Sequence, residues 1–423
     1  MPVRVQPELL TTIQGARGVA AMAVVLAHAG TILGFPRNLG SIPFGDVFRC
    51  GHAGVDFFFV LSGFIIATVH ACDIGRPEAA ADYLWKRFVR VYPVYWVATC
   101  IAIAITSLGV SGAVSDGFRD MDFSSLAASL ALVPQHQEPA LGVAWTLAHE
   151  MLFYLAFASL ILHRRAGTVI MGAWFGWSVV VTFRMTSDLS PWSPADLLSG
   201  FLGSSCHLQF AAGMAVAALV ARGWVPVPRS MALIGVAGFA LTAAAEDTDR
   251  IVYLGQIGRL MFGLSASLVV GGLAAAERRG LIRCGRVPIL IGAASYSIYL
   301  IHVPAMIVLA GIVVAARLPS WCAMPLLAAG GIVAGLLLHL LVERPGLAFL
   351  RGLSRGSATR AGEALRSPLV TYWAKGSGEG GLIHVEGAGP AGHSALPECE
   401  SGRHDEFHDQ GRRHRSRFWA DRQ

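Results

Sequence analysis

Apolar stretches long enough to cross a bilayer recur along this chain, and they restrict it to a membrane-embedded helical fold. The hydrocarbon core of a bilayer is about 30 Å thick and takes roughly 20 residues of helix to span. Hydropathy, with the polar or Gly/Pro-containing breaks between runs, predicts ten helices near 14–34, 53–71, 92–110, 146–163, 167–185, 201–221, 230–245, 255–276, 288–316 and 321–342. Backbone amides inside lipid must bond within the protein, so such a chain is all-α. Composition enters only as a check: 54% hydrophobic and 14% charged residues fit a polytopic membrane protein and argue against a soluble globule. The expected fold is therefore a polytopic helical bundle of about ten transmembrane helices within residues 1–350. A polar tail, 351–423, has few aliphatic residues and is predicted to be disordered.

Loop charge sets the expected orientation, because cytoplasmic loops collect Lys and Arg. With the N-terminus inside, the inner loops hold Arg76, Lys86, Arg87 and Arg90, then Arg164 and Arg165, then Arg222 and Arg229, then Arg278, Arg279, Arg283 and Arg286. The outer loops gather Asp116, Asp120, Asp122, Glu138, Asp188, Asp196, Glu246, Asp247 and Asp249. Both termini are thus predicted to be cytoplasmic. The net charge of +6 matters here through where the basic residues fall, and it implies no nucleic acid. Seven cysteines show neither CxxC nor metal-type spacing, so no zinc site or disulfide framework is signalled. The first apolar segment contains Arg17, runs on to Leu33 and lacks a small-residue cleavage site, so it is expected to remain a membrane helix. In the long outer loop 111–145, Phe123 to Val133 reads either as a short re-entrant or interfacial helix or as an ordinary loop. The closing stretch Arg412 to Trp419 reads as a solvated tail, with lipid head-group contact as the alternative.

Polar residues inside apolar runs are expensive and mark structure or function. Arg17 and His28 lie eleven residues apart on the first helix. That spacing is close to three turns, so both share one face about 16 Å apart. In GVDFFFVLSGFII, Asp56 reads equally as a helix cap or arginine partner and as a substrate-facing carboxylate. Lys86, Arg87 and Arg90 crowd the entrance to the third helix before Pro93, where they serve as a positive-inside signal or as phosphate ligands. His149 and Glu150 are adjacent, so they point about 100° apart and do not serve one partner together. Glu150 is either a working acid or base or a satisfied buried carboxylate. Ser295, Tyr299 and His302 form a polar helical stripe, read as a packing seam in which His302 is the residue worth testing. Glu343 and Arg344, before Pro345, read as a structural pair at a helix end.

In this order, Arg17 to His28, GVDFFFVLSGFII at 54–66, KRFVRVYPVYW at 86–96, WTLAHEMLFY at 145–154, SYSIYLIH at 295–302 and ERP at 343–345 resemble the integral-membrane acyltransferase-3 family. The resemblance covers about residues 10 to 350. It implies a bacterial inner-membrane enzyme that moves acyl groups, commonly acetyl, onto sugars and related acceptors. It implies that His28 is the central catalytic histidine and Arg17 its basic companion. Lys86, Arg87 and Arg90 would receive an acyl-coenzyme A donor, and Glu150 would lie in the functional core. His149 departs from the aliphatic residue that many members carry before this glutamate. Some members add an extracytoplasmic hydrolase-like domain, where this chain has a short tail. The expected partners are a carbohydrate or lipid-linked glycan acceptor and membrane lipids, with no metal and no permanently bound cofactor.

An imidazole of ordinary pKa near ~6.5 is suited to take the proton of an acceptor hydroxyl. Transient acylation of His28 is the other route. The rival class is a transporter whose intramembrane Arg, Asp, Glu and His residues line a solute path. A scaffold or sensor working through its tail would lose function when 354–423 are deleted. We expect that deletion to leave acyl transfer in membrane vesicles nearly unchanged.

Overall fold

The computed structural model describes residues 10–352 except 116–117, 119–120, 136, 185–199, 254 and 351. The tail, and the predicted outer-loop residues Asp116, Asp120, Asp188 and Asp196, lie outside the described residues. Among the described residues there is no strand, and the helices are α1 (Thr11–Gly34), α2 (Gly54–Val69), α3 (Ala80–Ser107), α4 (Phe123–Leu130), α5 (Trp145–Leu162), α6 (Arg164–Arg184), α7 (Cys206–Ala221), α8 (Pro228–Asp247), α9 (Gln256–Arg278), α10 (Arg286–Ala315) and α11 (Ser320–Leu338). Nine helical segments among them are long and apolar enough to cross a membrane, and α7 is a shorter apolar helix. The chain is a multi-pass, all-α bundle. Val169, Phe183, Leu233 and Leu241 of α6 and α8 are exposed, as a lipid-facing surface requires.

Helix boundaries depart from the expected ones near two prolines. α3 begins at Ala80 and carries Pro93 in its interior. Lys86, Arg87 and Arg90 therefore sit on the helix itself, before the proline. In α11 a π-turn over His339–Glu343 is followed by helix through Pro345. A π-turn widens one hydrogen-bonded loop, so the chain passes the proline without ending. The short helix is the sixth predicted span, and the seventh is a full 20 residues.

The Phe123–Val133 stretch resolves as α4. The Asp122 carboxylate caps its first turn, accepting from the Ser125 N–H at 2.8 Å and the Ser124 hydroxyl at 2.8 Å. Those bonds favour the ionised form and hold the carboxyl below the usual aspartate range. The orphan carbonyls at the other end are met by three donors midway along α3: Tyr95 to Ser129, Trp96 to Leu130 and Tyr92 to Ala131, each 2.9 Å. Ser129 is the one buried residue of α4, so this helix lies against α3 and the chain enters the bundle after it, at Ala140 and Leu141. Its continuation reaches Val143, whose carbonyl accepts from Tyr299 of α10 at 3.0 Å.

Glycines bring the site-bearing helices into backbone contact. A Cβ added at Gly292 of α10 would lie 1.8 Å from the Gln14 carbonyl of α1, and one at Gly18 would lie 3.0 Å from the Gly292 nitrogen. Likewise a Cβ at Gly213 of α7 would fall 1.9 Å from the Val60 carbonyl of α2. Small residues let membrane helices approach until dispersion and carbonyl contacts hold them. Replacing Gly292 by Ala should destabilise the detergent-solubilised protein by about 1–3 kcal/mol through overpacking. Gly311→Ala on the same helix, where the added Cβ meets nothing within 4 Å, should leave the melting temperature unchanged.

Candidate active site

The close α1–α10 crossing leaves a cavity of about 180 Å³ beside it, walled by α1, α2, α3, α5 and α10. Three arginines reach it: Arg17 from α1, and Arg87 and Arg90 from α3. The arginines of α3 are one turn apart, so the helix presents both to one side. Phe58, Phe59, Leu61, Ile65 and Ile66 of α2 make an apolar wall opposite, and Glu150 and Tyr154 of α5 complete the polar half.

Each arginine is held differently. Arg90 forms an ion pair with Glu343, which is fully buried and also accepts from Ser297 at 2.6 Å and bonds His339 at 2.8 Å. Glu343 thus pairs across the bundle with α3 and not with its neighbour Arg344. Arg87 packs over the rings of Tyr83 and Tyr154, at 5.8 and 5.7 Å from their centroids. Arg17 donates to Gln14 one turn below, at 3.2 Å. Glu150 accepts from Tyr154 and, at 3.1 Å, from Ser62. With Arg90 matched by Glu343, Arg17 and Arg87 face one lining carboxylate, Glu150, and the balance left at the cavity is positive. Forked donors suit phosphate or carboxylate oxygens.

His28 stands elsewhere. It shares a face of α1 with Arg17, but the cavity closes before reaching it, at Phe58 and Tyr299, whose rings lie 6.2 Å apart. Tyr299 is fixed by hydrogen bonds to Thr146 and to the Val143 carbonyl, both 3.0 Å. Beyond it the rings of His302 and His28 meet edge to face, with centroids 5.0 Å apart.

The other predicted residues separate. Lys86 points away from the cavity and pairs with Asp82 at 2.6 Å on an exposed surface. His149 turns away from Glu150, stacks on Phe201 and bonds His207 at 2.9 Å. Asp56 is buried outside the cavity, where Gln209 donates to it at 2.6 Å and Arg259 lies 3.8 Å away. Ser295 lines the cavity with a buried hydroxyl that bonds nothing among the described residues. Sequence reasoning passed over Tyr154, Tyr296 and Ser62, although Tyr154 follows Glu150 by one turn. It also read the carboxylate that holds Arg90 together with its neighbour Arg344.

An acyltransferase-domain family model matches residues 10–340. The chain belongs to the acyltransferase-3 family. Among its relatives, the exopolysaccharide production protein ExoZ of Rhizobium meliloti is 31% identical over 75% of this chain and 97% of its own length. The acyltransferase MdmB of Streptomyces mycarofaciens is 28% identical over 85% of this chain and 96% of its own. The O-acetyltransferase OatA of Staphylococcus aureus is 24% identical over 74% of this chain and 53% of its own. No solved structure matches. This acyltransferase is therefore a multi-pass membrane enzyme that transfers acyl groups, and its arginine-lined cavity lies within the matched residues.

Breaking a buried ion pair strands a charge and costs about 3–5 kcal/mol. Glu343→Ala should destabilise this acyltransferase by that order in thermal unfolding. The double replacement Arg90→Met with Glu343→Met should recover most of the loss.

Proposed function

We propose that this acyltransferase moves an acyl group, most simply acetyl, from cytoplasmic acyl-CoA to a hydroxyl of a surface or exported carbohydrate. The observation that carries the reading is the three-arginine cavity at the Thr11 end of the bundle, with His28 further along the same face of α1. Names among the relatives supply the classes: exopolysaccharide production for one, O-acetyl transfer for another.

In this reading residues 1–350 are the acyltransferase domain of a bacterial inner-membrane protein with both termini cytoplasmic, and 351–423 is an accessory tail. The basic loops and the arginine cavity face the cytoplasm. Arg87 binds the phosphates of the donor, Arg90 adds to the basic mouth while held by Glu343, and Lys86 stands at the entrance. The pantetheine arm runs into the cavity toward Arg17 and Glu150, and its thioester end reaches the Phe58–Tyr299 wall. Those two rings move aside to join the donor to His28. His28 takes the proton of the acceptor hydroxyl as its oxygen attacks the thioester carbonyl. The C–S bond breaks, and the proton returns to the departing sulfur. Arg17 neutralises charge on the donor side, and Glu150 orients it through Tyr154 and Ser62. No group needs to stay bound between turnovers.

Inside-out vesicles given radiolabelled acetyl-CoA test the proposal. Covalent label should appear in glycan with the natural protein, and His28→Ala should lower its rate by about 100-fold or more. Full transfer by His28→Ala would overturn the role of that residue. Solute uptake without covalent label would favour a carrier.

A further inference from the structure

His302 is buried on α10, and its ring nitrogen Nε2 has no hydrogen-bond partner among the described residues. A buried polar atom left unpaired keeps the full cost of its desolvation, so such an atom calls for an explanation. Its surroundings supply one. The His302 Nδ1 lies 3.0 Å from the Ile298 carbonyl, and the His28 Nδ1 lies 3.0 Å from the Val24 carbonyl. A carbonyl oxygen only accepts, so each Nδ1 carries the proton and each Nε2 is left with a bare lone pair. Helix α1 and helix α10 thus present the same tautomer, held the same way by the carbonyl one turn below. The two imidazoles meet edge to face.

Carboxylates are missing at this pair. His52 is bonded to Glu246, His70 to Asp73 and His339 to Glu343. Among the described residues neither His28 nor His302 has a carboxylate within hydrogen-bond reach. A base that becomes an imidazolium in an apolar setting needs a neighbour to stabilise its charge, the task an aspartate performs in a Ser-His-Asp triad. Here the neighbouring group is a second neutral imidazole.

We propose that His302 is the partner of His28, sharing the proton that His28 removes. The inference rests on the acyl-transfer reading above. The acceptor O–H bond breaks toward His28 Nε2 as the ester C–O bond forms. Once the ester C–O bond has formed, the new Nε2–H of the imidazolium turns from the ester oxygen to the His302 Nε2 lone pair, directly or through one water. The proton then leaves with the sulfur as the C–S bond breaks. Atoms and charge balance with the acyl donor and the hydroxyl acceptor alone. His302 acts through His28, so it is a positioning residue.

The test uses full-length protein in inside-out vesicles, with radiolabelled acetyl-CoA as the probe and incorporation into glycan as the readout. His302→Asn keeps a polar atom near the Nδ1 position and has none at Nε2, whereas His302→Gln reaches the Nε2 position. At equal amounts of folded protein, His302→Asn should lower kcat by about 100-fold while KM for acetyl-CoA stays within about twofold. His302→Gln should regain about tenfold of that loss. The proposal is overturned if His302→Asn keeps kcat within about threefold, if the loss falls on KM, or if folded His302→Gln is as inactive as His28→Ala. No incorporation by the natural protein would instead sink the acyl-CoA reading, leaving His302 out of account.

Discussion

The backbone contact between α1 and α10 is the constraint on which the rest of this acyltransferase depends. With Gly292 beneath the Gln14 carbonyl and Gly18 beside the Gly292 nitrogen, two parallel helices run at a separation that larger side chains forbid. One contact then has two consequences. Near it, Arg17 and the hydroxyl of Ser295 open onto the same cavity. Ten residues further along α10 and fourteen along α1, the same pair of helices brings His302 against His28. A cation site and an imidazole pair are thereby tied to a single crossing, about three turns of helix apart.

Charge inside the bundle is arranged so that some cations are neutralised and others are left to a ligand. Glu343 binds Arg90 while also engaging Ser297 and His339, so α3, α10 and α11 are joined through one carboxylate. Glu150 is occupied by Tyr154 and Ser62 and forms no ion pair with an arginine among the described residues. Arg17 and Arg87 retain donors facing the cavity, in surroundings where an unpaired charge is costly. A bound anion would relieve that cost, which is why the cavity reads as a receptor. At the far side Tyr299, anchored to Val143 by the inserted loop, separates the cations from the imidazoles. The loop insertion is held by the aromatic donors of α3, so the same helix shapes both the floor and the roof of the site.

Much of the bundle was legible in the sequence because apolar length and loop charge are local properties. The shared face of Arg17 and His28, and the separate partners of His149 and Glu150, followed from helical periodicity alone. Two boundaries were missed: α3 begins at Ala80 and not at 92, ahead of Pro93, and at Pro345 a π-turn carries the helix past the residue where a stop was expected. Asp56 was left between two readings, and its neighbours Gln209 and Arg259 come from helices more than 150 residues away. Glu343 was assigned to the arginine beside it, whereas its partner lies on α3.

By itself the sequence determined an all-α membrane bundle, the approximate span of most helices and the spacing of Arg17 and His28 along α1. Those follow from hydrophobic burial and from 3.6 residues per turn, which act within one segment. Tertiary structure decided which arginines share a cavity, that His28 lies beyond its wall, and that His302 is its neighbour. Such pairings depend on glycine contacts and inserted backbone between helices far apart in the chain, and no local pattern encodes them.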